Sequence, residues 1–131
     1  MSNIETVKSI YAAFGKGDVP AILERLAENV EWEHDSVDHG IPYLKPGRGR
    51  EHVLAFFQTV GRDLSFRRFE LANLLQGGDQ VVAVLKVEGS YVPTGKSFTD
   101  HELHMWTFDE RGRVQAFRHV VDTHAHFLVT R

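Results

Sequence analysis

Residues 81–108 read VVAVLKVEGSYVPTGKSFTDHELHMWTF, and the two halves of this stretch decide the fold. Val81–Tyr91 and Ser97–Phe108 are rich in β-branched and aromatic residues, while Pro93-Thr94-Gly95-Lys96 between them is turn chemistry. Each half is a strand, and the short connection makes the pair antiparallel. Outward from this hairpin, Gln76-Gly77-Gly78-Asp79 joins Leu64–Leu75 to its first half. Asp109-Glu110-Arg111-Gly112 joins Val114–Val121 to its second. Three successive hairpin signals predict an antiparallel meander, and from residue 64 to the end the chain reads as strand. Arg67-Arg68, set between Phe66 and Phe69, reads as a local bulge in the first of these strands.

The first half of the chain has a helical period. Ser2-Asn3-Ile4-Glu5 fits a capping box, and Ile4, Val7, Tyr11 and Phe14 follow at helical spacing, so residues 3–15 form an amphipathic helix that Gly15 and Gly17 end. Asp18 caps a second helix, with Pro20 in its first turn and Ile22, Leu23 and Leu26 as its buried stripe. Val30, Trp32 and His34 then alternate with Glu31, Glu33 and Asp35, the period of a half-buried strand. Gly40, Pro42, Pro46, Gly47 and Gly49 make residues 36–49 a loop, long enough to serve as a lid. A third helix runs from about Arg50 to Gly61, with Val53, Leu54, Phe56, Phe57 and Val60 as its apolar face. Helices followed by a run of long strands give an α+β fold. We expect a strongly curved, mostly antiparallel sheet closing into a cone, wrapped by the three helices of the N-terminal half and enclosing a pocket.

Composition narrows the function. At 131 residues, residues 1–131 have room for one domain, and 42% hydrophobic with 25% charged residues is ordinary globular chemistry. A net charge of −3 offers no field to gather nucleic acid or anionic lipid. The absence of cysteine excludes disulfides, thiolate metal sites and a cysteine nucleophile. No stretch approaches the roughly eighteen apolar residues of a membrane span, and the N-terminus lacks a signal peptide's regions, so we expect a cytoplasmic protein without membrane or nucleic-acid partners.

The informative residues are polar groups lying in phase with an apolar face. His34 shares the phase of Val30 and Trp32, which predicts burial for His34 and exposure for Glu31, Glu33 and Asp35. On Ser97–Phe108 the even positions are Phe98, Asp100, Glu102, His104, Trp106 and Phe108: three ionisable groups bracketed by aromatics. That face is expected inside, carrying His104 and Glu102 into the pocket. The last strand is ambiguous, since Gln115, Phe117, His119 and Val121 share one phase and Val114, Ala116, Arg118, Val120 and Asp122 the other. His101 and His104 point to opposite faces and cannot chelate together, and His124 and His126 have no third ligand nearby at a metal-site spacing, so no metal is assigned.

The order of parts resembles a known family. Tyr11-Ala12-Ala13-Phe14-Gly15-Lys16-Gly17-Asp18 ends the first helix, Leu26-Ala27-Glu28-Asn29-Val30 follows the second, and Phe108-Asp109-Glu110-Arg111-Gly112-Arg113-Val114 lies in the meander. Over essentially its full length the chain resembles the SnoaL-like polyketide cyclase and ketosteroid-isomerase-like group of the nuclear-transport-factor-two-like superfamily. The resemblance places His34 where ketosteroid isomerases carry their proton-shuttling aspartate, and His104 where they carry the acid that donates to the enolate oxygen. It puts Ile10 at the position of their phenol, with Tyr11 one residue later. It implies that Phe117, His119 and Val121 face inward, that Asp122 corresponds to the late acidic base of SnoaL-like cyclases, and that two copies pair.

These readings predict cofactor-free acid/base chemistry on a small, mostly apolar molecule bearing a carbonyl. His34 is the expected base, with His104 or His119 donating to the developing oxyanion and Asp122 a further candidate. Tyr11, Trp32, Tyr43, Phe57, Glu102, Trp106 and Phe117 are the expected substrate contacts. The odd face of Leu103, Met105 and Thr107 is expected to seal a homodimer through the sheet. Two other readings remain open: a non-catalytic ligand-binding or dimerisation domain, and water addition to an epoxide, which would need Arg118 and Asp122 facing inward.

Overall fold

The computed structural model describes residues 1–131. Its elements, in chain order, are α1 (Asn3–Gly15), α2 (Val19–Leu23), β1 (Leu26–Trp32), a 3-10 turn (Pro42–Leu44), β2 (Gly47–Arg48), α3 (Arg50–Asp63), β3 (Leu64–Gly77), β4 (Gln80–Tyr91), β5 (Lys96–Phe108), β6 (Val114–Val120) and α4 (Thr123–Val129). The strands form one sheet in the order β2-β1-β6-β5-β4-β3. The meander from β3 to β6 is antiparallel, as the turns predict, and β1 adds to it parallel to β6.

The sheet is strongly curved but open, with β2 and β3 as its edges, so the expected closure into a cone does not occur. The curvature has local causes. In β3, Arg67 and Ala72 are each inserted opposite a continuous partner strand, and a further irregularity lies between Thr107 and Phe108. Each extra residue bends its strand and increases the local twist. Gly89, opposite Phe66 beside the first bulge, lets the strands approach, since a Cβ there would stand 2.8 Å from the Ser65 carbonyl oxygen.

The helices fill the concave side. α1 opens as its cap predicts, with the Ser2 hydroxyl oxygen accepting from the Glu5 amide at 3.1 Å, and Asp18 accepts from Ala21 at 3.2 Å to start α2. Val7 and Ile10 of α1, Ile22 of α2, Val53 of α3 and Trp32, Trp106 and Phe117 of the sheet make one buried cluster. A second joins the 3-10 turn to β4 and to Val129 of α4.

Four local expectations need correction. α2 stops at Leu23, and Leu26 begins β1 rather than ending the helix. Residues 36–49 are not structureless: they hold the 3-10 turn and β2, which pairs with β1 through Glu31↔Arg48 and Trp32↔Gly47. Leu54 lies on the outer side of α3 and is 39% exposed. The chain ends in a fourth helix, whose N-cap is Asp122, accepting from the Ala125 amide at 3.1 Å.

Candidate active site

The concave side of the sheet and the helices enclose a narrow cavity, lined by 20 residues of which 16 are hydrophobic. Aromatic rings form much of the wall, with Trp32 stacked on Phe117 at 4.1 Å and Trp106 within 4.4 Å of the same ring. The four polar residues are Glu102, His104, His119 and His126. The even face of β5 is buried from Phe98 to Phe108, as the alternation predicts.

The hydrogen bonds around His104 fix its proton. Trp106 Nε1–H donates to the Tyr11 hydroxyl at 3.0 Å, so the single Tyr11 proton goes to His104 Nδ1 at 2.7 Å. His104 Nε2–H then donates to Glu102 Oε1 at 3.0 Å. The ring is neutral in this network, and burial holds its pKa below the usual histidine range. Burial likewise pushes the Tyr11 phenol far above its usual value. For Glu102, burial alone would raise the pKa, but the hydrogen bond from His104 and the close approach of the His126 ring outweigh it and keep the carboxylate ionised.

A second carboxylate–histidine pair stands on the adjoining strand. Glu33 is 3% exposed, and its Oε1 accepts from both the His119 amide at 3.0 Å and His119 Nδ1–H at 2.7 Å. The ring's other nitrogen, Nε2, has no protein partner, and the ring centroid lies 4.6 Å from that of His104. This pair corrects the expectation for His34. β1 ends at Trp32, and Glu33 and Asp35 both adopt left-handed backbone, with φ of 57° and 58°. Two such residues in three break the period-2 alternation, so Glu33 turns inward behind Trp32 and His34 turns out. The His34 side chain is 46% exposed, bonded to Glu31 and facing Asp35, and lines no part of the cavity.

A third group was missed because the C-terminal residues read as strand. In α4, His126 is 2% exposed; its Nε2 lies 2.8 Å from Asp100 Oδ2 and 3.6 Å from Glu102 Oε2, and its Nδ1 lies 2.7 Å from the Tyr43 hydroxyl. Burial alone would lower this ring's pKa, but the bond to Asp100 and the nearby Glu102 carboxylate raise it to about 9. The Tyr43 phenol is pushed up by burial and by the charges of Glu102 and Asp100. In sequence, Thr123-His124-Ala125-His126-Phe127-Leu128-Val129 after Asp122 carries a helix signal, an aspartate N-cap with apolar residues at helical spacing.

Of the expected site residues, His104, His119, Tyr11, Trp32, Tyr43, Phe57, Glu102, Trp106 and Phe117 line this one cavity. His34 and Asp122 do not. Phe117, His119 and Val121 supply the inner face of the last strand, whereas Arg118 faces out, donating to the Asp35 carbonyl at 2.9 Å. The Asp–Arg–Asp arrangement that epoxide hydration needs is therefore not assembled from Arg118 and Asp122. Two trios, Glu102/His104/His119 and Asp100/Glu102/His126, bring metal-ligand atom types within 4.8 Å of one another. Ring nitrogens and carboxylates bond each other in both trios, and we assign a metal to neither.

The family follows from residues 7–117, which match the SnoaL-like domain over most of the chain. The chain belongs to the SnoaL-like domain family. An NTF2-like protein from Burkholderia xenovorans LB400 shares its fold at a TM-score of 0.86 and 26% identity, covering 98% of this SnoaL-like chain and 95% of that one. TerC, co-crystallised with polyporic acid, matches at a TM-score of 0.81 and 25% identity over 97% and 96% of the two chains. A candidate polyketide cyclase from Pseudomonas putida KT2440, at 22% identity, has the same fold, with a TM-score of 0.76 over 99% and 97%. A comparison with curated proteins finds no match.

Proposed function

We propose that this SnoaL-like protein binds a mostly apolar, carbonyl-bearing small molecule and carries out cofactor-free acid/base chemistry of the isomerase, cyclase or dehydratase type. The observation that carries this reading is the buried Glu33–His119 pair. Glu33 holds the Nδ1–H tautomer, which leaves Nε2 as a base on the wall of an apolar cavity. His104, supported by Tyr11 and Glu102, and the aromatic rings orient the ligand. The binding of polyporic acid by TerC supports a cyclic, oxygen-bearing ligand.

The test is α-hydrogen exchange of 2-tetralone in D2O followed by proton NMR, against a buffer blank. Wild-type protein should accelerate exchange, and His119→Ala should lower the rate by at least about 10²-fold, the usual worth of a general base. Exchange no faster than the blank would count against catalysis and favour a ligand-binding role.

We also propose that two copies pair through the outer face of the sheet, where Leu103 is 38% and Val120 40% exposed beside Met105 and Thr107. Light scattering at micromolar concentration should give a dimer mass, which Leu103→Glu should halve.

A further inference from the structure

Tyr43 and His126 form a hydrogen-bonded unit that the Glu33–His119 chemistry does not use. The His126 ring lies against two buried carboxylates, Asp100 and Glu102, and it is the cationic partner available to both. Two buried carboxylates are tolerated there only beside a cation, and this ring stands against both, so the ring is charged and both of its nitrogens donate. Nε2–H goes to Asp100, and Nδ1–H goes to the Tyr43 oxygen at 2.7 Å. The Tyr43 hydroxyl proton then has no acceptor in the protein, because His126 is the hydroxyl's one hydrogen-bond partner. Tyr43 lines the cavity. Tyr11 differs in this respect: it accepts from Trp106 and spends its proton on His104.

We propose that Tyr43 is the cavity's proton donor to a ligand carbonyl oxygen, recharged by His126, and that the ligand is a neutral ketone or quinone rather than a carboxylate. The inference rests on the acid/base reading above and deepens it. The step balances without a co-reactant. His119 Nε2 takes a proton from carbon α to the carbonyl; the carbonyl oxygen takes the Tyr43 proton; the Tyr43 oxygen takes the Nδ1 proton of His126. The product is a neutral enol. The positive charge leaves the side of Asp100 and Glu102 and appears beside Glu33, so a buried carboxylate faces it before and after. A ligand that arrived as an anion would meet Asp100 and Glu102 at close range and be rejected.

His126 acts through Tyr43 and is a positioning residue, and its signature is a pH limb. The groups facing it are Asp100 and Glu102 from β5 and Tyr43 from the 3-10 turn, with Tyr91 of β4 against Tyr43. Above about 9 the ring loses its Nδ1 proton, Tyr43 donates to the ring instead of the ligand, and exchange falls. The experiment compares wild type, Tyr43→Phe and His119→Ala in 2-tetralone exchange between pH 6 and 10, with blanks subtracted. It adds long-range proton–nitrogen NMR of the histidines in the wild-type protein. Tyr43→Phe should lower the rate about 10²–10³-fold, as losing one oxyanion donor does, and its residual rate should show no alkaline fall. The His126 ring should carry protons on both nitrogens at pH 7. Tyr43→Phe within twofold of wild type while His119→Ala is inactive overturns this inference and leaves the acid/base reading standing. Wild-type exchange equal to the blank overturns both. A His126 ring protonated on one nitrogen only at pH 7 overturns the inference whether or not the variant folds.

Discussion

Glu33 and His34 are neighbours with opposite environments, and replacing each by alanine tests the arrangement of the site. Glu33→Ala removes the acceptor of two buried donors, the His119 amide and its ring Nδ1–H. Each such group left unpaired costs about 1–3 kcal/mol, which gives about 2–6 kcal/mol in all, less if the freed ring turns its proton to the cavity. Glu33→Gln keeps an acceptor oxygen and loses only the charge assistance, about 1 kcal/mol. His34→Ala removes surface ion pairs with Glu31 and Asp35, whose side chains are 38% and 79% exposed, and should stay within about 0.5 kcal/mol of wild type. For a chain of 131 residues, each kcal/mol corresponds to about 3–4 °C in Tm. Thermal melts by far-ultraviolet circular dichroism should therefore rank the variants His34→Ala, Glu33→Gln, Glu33→Ala, with the last about 6–24 °C below wild type. His34→Ala losing as much as Glu33→Ala would refute the inward turn of Glu33.

Three further outcomes follow from the same structure. Gly89→Ala should cost about 1–3 kcal/mol in urea unfolding, because the new Cβ meets the Ser65 carbonyl oxygen at 2.8 Å and the Phe98 ring at 3.1 Å. Tyr11→Phe keeps the ring but strands Trp106 Nε1–H and leaves His104 Nδ1 without its donor, a loss of about 2–6 kcal/mol that a melt at pH 7 would show. His126 has a folded pKa of about 9 against an ordinary value of 6.5, so its contribution is complete below about 6.5 and is lost as pH rises through about 9. Wild type should lose roughly 3 kcal/mol at most across that window, and His126→Asn, with no raised pKa, should lack the decline.

Much of the site was legible where a regular element ran undisturbed. The even face of β5 is the plainest case: the aromatics Phe98, Trp106 and Phe108 bracket Asp100, Glu102 and His104, and the whole face is buried. Tyr11 was legible through α1, whose helical period put it on the core face. His34 departs from the alternation because β1 ends two residues before it and the left-handed backbone at Glu33 and Asp35 reverses the phase. His126 and Asp122 depart from a strand reading of the residues after β6, because the aspartate begins a helix that carries His126 inward.

By itself, the sequence determined the meander, the N-terminal helices, the apolar wall and the histidine-bearing face of β5, because side-chain period and turn chemistry are local properties. Only the tertiary structure decided which charges meet. Glu33 reaches His119 across 86 residues, Tyr11 reaches His104 across 93, and Tyr43 reaches His126 across 83. No local rule relates residues so far apart. Their pairing depends on the parallel addition of β1 to β6, on bulges that curve the sheet and on a last helix folding back over β5. The physical reason is that a buried carboxylate or imidazole is tolerated only beside its partner, and the partner's place is set by the packing of the whole chain.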